Sequence, residues 1–223
     1  MDFSQAIKVL ENAKRISPSV TIVAATKMVE PSVMNRIKSE LGIDIVGENK
    51  VQELLSKYEQ ASNCDRWHII GQLQTNKVKY IADKVEMIQS VDRLSLAQEI
   101  QKQCAKLGKV MKVLVEVNMA DEESKGGVTP NNSIELVESI SKLENVKVEG
   151  LMSVLPNLED QNLLASYYKK LYRLFEELKR ANISGVDAKY LSAGMSGDYA
   201  LALESGANMI RLGSCLFGRR NYN

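Results

Sequence analysis

Short runs rich in valine and isoleucine alternate along the chain with longer stretches whose apolar residues recur every three or four positions. The runs Val20–Thr26, Ile43–Gly47, Trp67–Gly71, Met87–Val91, Lys112–Asn118, Val148–Ser153, Ala188–Leu191 and Met209–Leu212 predict eight strands. Between them the spacing predicts helices near 32–41, 49–60, 75–82, 93–107, 131–143, 161–181 and 197–205. Before the first strand, Phe3, Ile7 and Leu10 mark one face of an amphipathic helix, widened by Ala6, Val9, Ala13 and Ile16.

Runs such as Ile43-Asp44-Ile45-Val46 and Val113-Leu114-Val115 are short and mostly apolar, the character of parallel strands covered on both faces. Strict alternation of strand and helix implies a parallel sheet with right-handed crossovers. Eight strands in 223 residues fit an α/β fold of the (β/α)8 TIM-barrel type better than an open sheet. The first strand is not followed by G-x-G-x-x-G, which weakens a doubly wound dinucleotide fold. No Pro/Gly/Ser-rich linker divides the chain, so 1–223 reads as a single domain. The extra N-terminal helix is expected to cover the face that a helix after strand eight would take.

Composition narrows the function classes. Apolar residues make up 44% and charged residues 26%, ordinary for a globular protein with a real core, and the net charge is +1. That balance offers nothing to nucleic acid or an acidic membrane surface. The N-terminal helix lacks the apolar core of a signal peptide, and no run approaches a membrane span. Cys64, Cys104 and Cys215 are scattered and odd in number, which reads as free thiols in a reducing, cytoplasmic setting. One histidine and no clustered cysteines leave no basis for a metal site.

A barrel places its chemistry at the C-terminal ends of its strands, with a phosphate site commonly built after strands seven and eight. Those places hold Lys27, Glu48-Asn49, Gln72, Asp92, Asn118, Ser153, the turn Ser192-Ala193-Gly194-Met195-Ser196, and Arg211 ahead of Gly213-Ser214. The two small-residue turns would leave backbone N–H groups for a phosphate, helped by a helix starting at Ser196. Arg211 would then point at whatever carries the phosphate. Lys27 ends an apolar run, and small Ala24 and Ala25 leave room around it. Desolvation and the nearby arginine favour the neutral amine that condenses with an aldehyde, although a lysine at a strand end also commonly snorkels to water. An amine facing a phosphate cradle suits a phosphorylated aldehyde. His68, mid-strand beside Trp67, reads as a hydrogen-bonded core residue. Asp121-Glu122-Glu123 reads as a solvated turn before Lys125-Gly126-Gly127. Tyr167, Tyr168 and Tyr172 with Lys169, Lys170 and Arg173 read as core-facing tyrosines beside a solvated basic edge.

Taken in order, these segments resemble the pyridoxal-phosphate-binding homeostasis proteins, single-domain relatives of the alanine racemase barrel. The resemblance runs through Ala25-Thr26-Lys27, Gly47-Glu48-Asn49 with Val51-Gln52-Glu53, Trp67 to Lys77, Ser90-Val91-Asp92-Arg93 and Gly150-Leu151-Met152. It continues through Gly194-Met195-Ser196-Gly197-Asp198 and Ile210-Arg211-Leu212-Gly213 with Phe217-Gly218. It implies pyridoxal 5'-phosphate (PLP) bound as a Schiff base on Lys27, with the phosphate held by Ser196, Gly213 and Ser214 and with Ser192 nearby. Arg211 would face the pyridine nitrogen, and Asn49 and Met152 would line the ring. The chain departs from the family in Met28-Val29-Glu30, where Thr-Lys is more usual after the lysine, and in Ala193, where methionine is usual.

An arginine at the pyridine nitrogen disfavours a proton there and makes the ring a poorer electron sink. Alanine racemases add a tyrosine base from a second domain, and the chain ends at Asn223 without one. The resemblance therefore implies a cytoplasmic, monomeric carrier in vitamin B6 homeostasis that delivers PLP to apo-enzymes, rather than an enzyme. A slow PLP-dependent racemase is the alternative, with Lys27 as its catalytic base. The barrel alone would also allow a Schiff-base aldolase.

Overall fold

The computed structural model describes residues 2–120 and 126–218. The acidic turn at 121–123 and Lys125 therefore lie outside the described residues, as does the tail from 219. Eight parallel strands close in sequence order into a barrel: β1 (Thr21–Ala25), β2 (Ile45–Glu48), β3 (Arg66–Ile69), β4 (Met87–Val91), β5 (Met111–Glu116), β6 (Val146–Met152), β7 (Tyr190–Ser192) and β8 (Met209–Leu212). Each strand pairs with the next, and β1 pairs with β8 through Thr21↔Met209 to Ala24↔Leu212. The expected barrel is present.

Around it lie α1 (Ser4–Ile16), α2 (Pro31–Leu41), α3 (Val51–Tyr58), α4 (Leu94–Leu107), α5 (Pro130–Ile140), α6 (Gln161–Ala181), α7 (Tyr199–Glu204) and α8 (Ser214–Phe217). The pattern at 75–82 becomes a 3₁₀ turn, Thr75–Tyr80. Local chemistry sets the helix ends. Pro31 and Pro130 begin α2 and α5 with φ already near the helical value, and Asp160 caps α6 by accepting from the N–H groups of Asn162 and Leu163. Helix α1 packs against α2, α7 and α8, the covering role expected of it.

Strand ends differ from expectation where a polar side chain finds a partner. The second strand extends to Glu48 because that carboxylate, fully buried, meets Thr26 and Lys57. Strand β3 stops at Ile69. A side chain on Gly71 would place its Cβ 2.6 Å from the Asn49 carbonyl oxygen, so glycine lets the loop close on Asn49. Of the three tyrosines on α6, Tyr168 is buried and Tyr167 packs partly buried against the same core, whereas Tyr172 is 38% exposed, so two of the expected core-facing trio face the core.

Strand alternation divides the apolar residues into two cores. Val23, Ile45, Ile70, Met87, Leu114, Met152 and Met209 fill the barrel interior. A larger shell, including Ala24, Val46, Trp67, Ile88, Val113, Leu151 and Ile210, packs the outer face of the sheet against the helices.

Candidate cofactor site

At the C-terminal mouth a cavity of about 620 Å³ is lined by Ala25, Lys27, Asn49, Ile70, Val154, Met195, Ser196, Gly197, Arg211, Gly213 and Ser214. Period-two alternation explains the lining. Ala25 follows inward-facing Val23, Val154 follows Met152 and Arg211 follows Met209, so each stands one layer above the interior core.

The two turns expected to form a cradle meet here. Ser196 Oγ accepts the N–H groups of Gly213 at 3.0 Å and Cys215 at 3.2 Å, joining the turn after β7 to the start of α8. Among the described residues the N–H groups of Ser196, Gly197 and Ser214 meet no acceptor. The first turn is pinned from behind: Asp198 Oδ1 accepts Met195 N–H at 2.7 Å, and Asp198 Oδ2 accepts the Tyr168 hydroxyl at 2.6 Å. Burial pushes the Tyr168 phenol up, with the Asp198 carboxylate adding to it, so the tyrosine stays a donor. Helix α7 begins at Tyr199 rather than Ser196, because the Asp198 carboxylate captures a turn N–H before the helix starts. Gly194, at φ +94°, is required: a Cβ there would lie 2.5 Å from that of Ala202.

Arg211 is 3% exposed and, among the described residues, has no carboxylate hydrogen-bonded to it. Its Nη1 donates to Ser192 Oγ at 2.7 Å and its Nη2 to the Ser153 carbonyl at 2.9 Å. Burial pulls its pKa down, yet a guanidinium remains charged. Ser192 in turn donates to Gln89 Oε1 at 2.7 Å, and Gln89 Nε2 donates to His68 Nδ1 at 2.9 Å. Burial pushes the His68 pKa down, so the ring is neutral and carries its proton on Nε2, 3.9 Å from Glu86 Oε2. A polar column thus descends from the cavity wall through the barrel interior.

Of the residues singled out from sequence, Lys27, Asn49, Ser196, Arg211, Gly213 and Ser214 line the cavity. Met152 and Ser192 are fully buried beneath it, Ser192 engaged by Arg211 and Gln89. Ile70, Val154, Met195 and Gly197 were not singled out as ligand residues, although two-residue spacing beyond His68 and Met152 marks the first two. Glu116 was also missed. It follows inward-facing Leu114, is buried, and has one oxygen without a partner among the described residues. Burial first, then the Asp92 charge, raises its pKa to about 7 against the pull of Arg211. No group of histidine, cysteine and acidic side chains suited to a metal occurs among the described residues.

The donor set fits a phosphorylated aldehyde. An amine, N–H groups without acceptors around a serine hydroxyl, and a buried cation face one cavity of a size to enclose a small aromatic ring.

Residues 5–221 match the family described as alanine racemase, N-terminal domain. The pyridoxal phosphate homeostasis protein of Aquifex aeolicus is 46% identical over 216 residues, covering 96% of this chain and 93% of that protein. The pyridoxal phosphate homeostasis protein of Helicobacter pylori strain 26695 is 36% identical, over 89% of this chain and 87% of its own. Among solved structures, PipY of Synechococcus elongatus PCC7942 with PLP bound superposes with a TM-score of 0.82 at 27% identity, over 94% of this chain and 100% of that one. An alanine racemase of Clostridium difficile shares the fold, with a TM-score of 0.77 at 14% identity, over 98% of this chain and 60% of the racemase. The chain belongs to the pyridoxal phosphate homeostasis proteins, within the alanine racemase N-terminal domain family.

Proposed function

We propose that the chain is a PLP-binding carrier that holds the cofactor on Lys27 and contributes to cellular vitamin B6 homeostasis, without strong catalysis of its own. The observation that carries this reading is the placement of Lys27 and the Ser196–Gly213 cradle on one cavity. PLP supplies an aldehyde carbon, to which a lysine amine adds with loss of water.

Lys27 offers that amine from the end of β1. Ser196, Gly197, Gly213 and Ser214 offer the hydroxyl and N–H groups that suit a phosphate dianion. Asn49 and Val154 line the space left for the ring, while Met152 supports it from the layer below. Arg211 is assigned to the pyridine nitrogen. A fixed guanidinium disfavours protonation there and keeps the ring a weak electron sink, which suits storage better than turnover. Three unbridged thiols support a cytoplasmic setting, in which apo-enzymes that need PLP would be the recipients. Among the described residues no helix is long and apolar enough to cross a membrane.

The test is the visible spectrum of protein incubated with PLP and freed of excess cofactor. A retained absorbance band that borohydride abolishes is expected. A spectrum without such a band would refute the assignment.

A further inference from the structure

Behind the wall that carries Lys27 lies a buried ionic cluster that lines no part of the cavity. Lys57, on α3 and 7% exposed, directs its ammonium to three acceptors: the Thr26 carbonyl at 2.8 Å, Glu48 Oε1 at 2.9 Å and Glu53 Oε1 at 2.6 Å. Thr26 Oγ1 donates to the same Glu48 oxygen at 2.7 Å. Glu53 Oε1 also accepts the N–H of Met28. Residues 26 and 28 are therefore both fastened to one cluster, and Lys27 stands between them.

The local backbone explains why fastening is needed. Thr26 continues the outward-facing series of Ala24, whereas Lys27 continues the inward-facing series of Val23 and Ala25. Met28 then turns back at φ +58°, a left-handed conformation disfavoured for a residue with a Cβ. Its side chain makes no compensating burial, since Met28 is 54% exposed. The Val29 N–H closes the turn on the Thr26 carbonyl at 2.9 Å, and the Glu53 carboxylate braces it through the Met28 N–H. Removing a lysine and a glutamate from water is costly unless their polar atoms are well bonded, and such clusters tend to persist where they fix a geometry.

We propose that Glu48, Glu53 and Lys57 form a positioning device for Lys27, clamping the backbone on both sides so that its amine enters the cavity at a fixed place. This rests on the proposed role of Lys27 as the cofactor amine. The Glu53 carboxylate also lies within electrostatic reach of Lys27. The three are positioning residues and touch no ligand.

The test uses full-length Glu53→Ala, Glu53→Gln and Lys57→Met, with folding checked by circular dichroism and melting temperature. Two readouts are taken. One is the rate at which bound PLP is lost on dilution, with the pH profile of its absorbance. The other needs no cofactor: the labelling rate of Lys27 by a small amine-reactive reagent, measured by peptide mass spectrometry against exposed Lys102. Glu53→Ala is expected to lose PLP roughly tenfold faster, the effect of one charged hydrogen bond, with a displaced pH profile and an altered Lys27 labelling ratio. Glu53→Gln, which keeps an acceptor for Met28, is expected to recover the release rate but not the pH profile. Wild-type release, pH profile and labelling in folded Glu53→Ala would overturn the proposal. Should Lys57→Met fail to fold, Glu53→Ala decides alone, because Glu53 is only partly buried. Should the wild-type protein retain no PLP, the carrier reading fails, and the labelling ratio still decides whether the clamp acts on Lys27.

Discussion

Arg211 donates to the Ser192 hydroxyl at 2.7 Å, and through that bond the cavity wall is tied to the barrel interior. Ser192 donates in turn to Gln89, and Gln89 donates to His68. Each donor in this column points away from the guanidinium, so the orientation of Arg211 and the tautomer of His68 are set together.

Breaking the column in the middle should therefore show at both ends. Gln89→Leu leaves the Ser192 proton and His68 Nδ1 without partners, at a cost of about 1–3 kcal/mol in stability. Chemical denaturation measures that loss. The same variant should weaken PLP binding while Lys27 remains the trapped residue, because it loosens Arg211 and leaves the amine untouched.

The phosphate cradle predicts a selective defect. Ser196→Ala removes the oxygen that joins Gly213 N–H and Cys215 N–H. PLP affinity should fall about tenfold, the worth of one charged hydrogen bond, while affinity for pyridoxal, which has no phosphate, should change little. Equilibrium titration with both compounds measures the difference. An equal loss for the two would place the phosphate elsewhere.

Glu116 predicts a pH dependence of stability. Its folded pKa, about 7, stands above the value of an unfolded glutamate, so between those values the folded state binds the extra proton. Its contribution is neutral at low pH, becomes destabilising as pH rises from the unfolded value to about 7, and levels off above that. Glu116→Gln should match wild type near pH 4 and exceed it by roughly 3–4 kcal/mol at pH 8. Urea unfolding at the two pH values checks both size and sign.

The arrangement of strands was legible in the sequence because buried parallel strands are apolar on both faces and stand out as short runs. Their ends were not, since Glu48 joins β2 only by meeting Lys57 and Thr26, partners the linear pattern does not display. Lys27, Ser196 and Arg211 were readable from their places after or near the ends of strands. The separation of Met152 and Ser192 from the cavity was not, because it depends on which interior layer each residue occupies. Gln89, Glu116 and Lys57 carried no motif signal beyond an isolated polar residue in an apolar setting. Their roles arise from approaches between distant segments, such as Gln89 to Ser192, which only the closed barrel creates.

Weak catalysis is expected as well. Incubation of PLP-loaded protein with L-alanine in deuterium oxide should give little exchange at the α-carbon beyond that of free PLP. Strong exchange lost in Lys27→Ala would favour a racemase instead.

Lys27 is proposed as the residue that holds the cofactor. The most direct test is peptide mapping after borohydride reduction of the PLP-incubated protein, with Lys27→Ala in parallel. One reduced cofactor on the peptide containing Lys27, absent from the variant together with the visible absorbance, is the expected result. Cofactor spread over surface lysines, or an absorbance band that survives in Lys27→Ala, would contradict it.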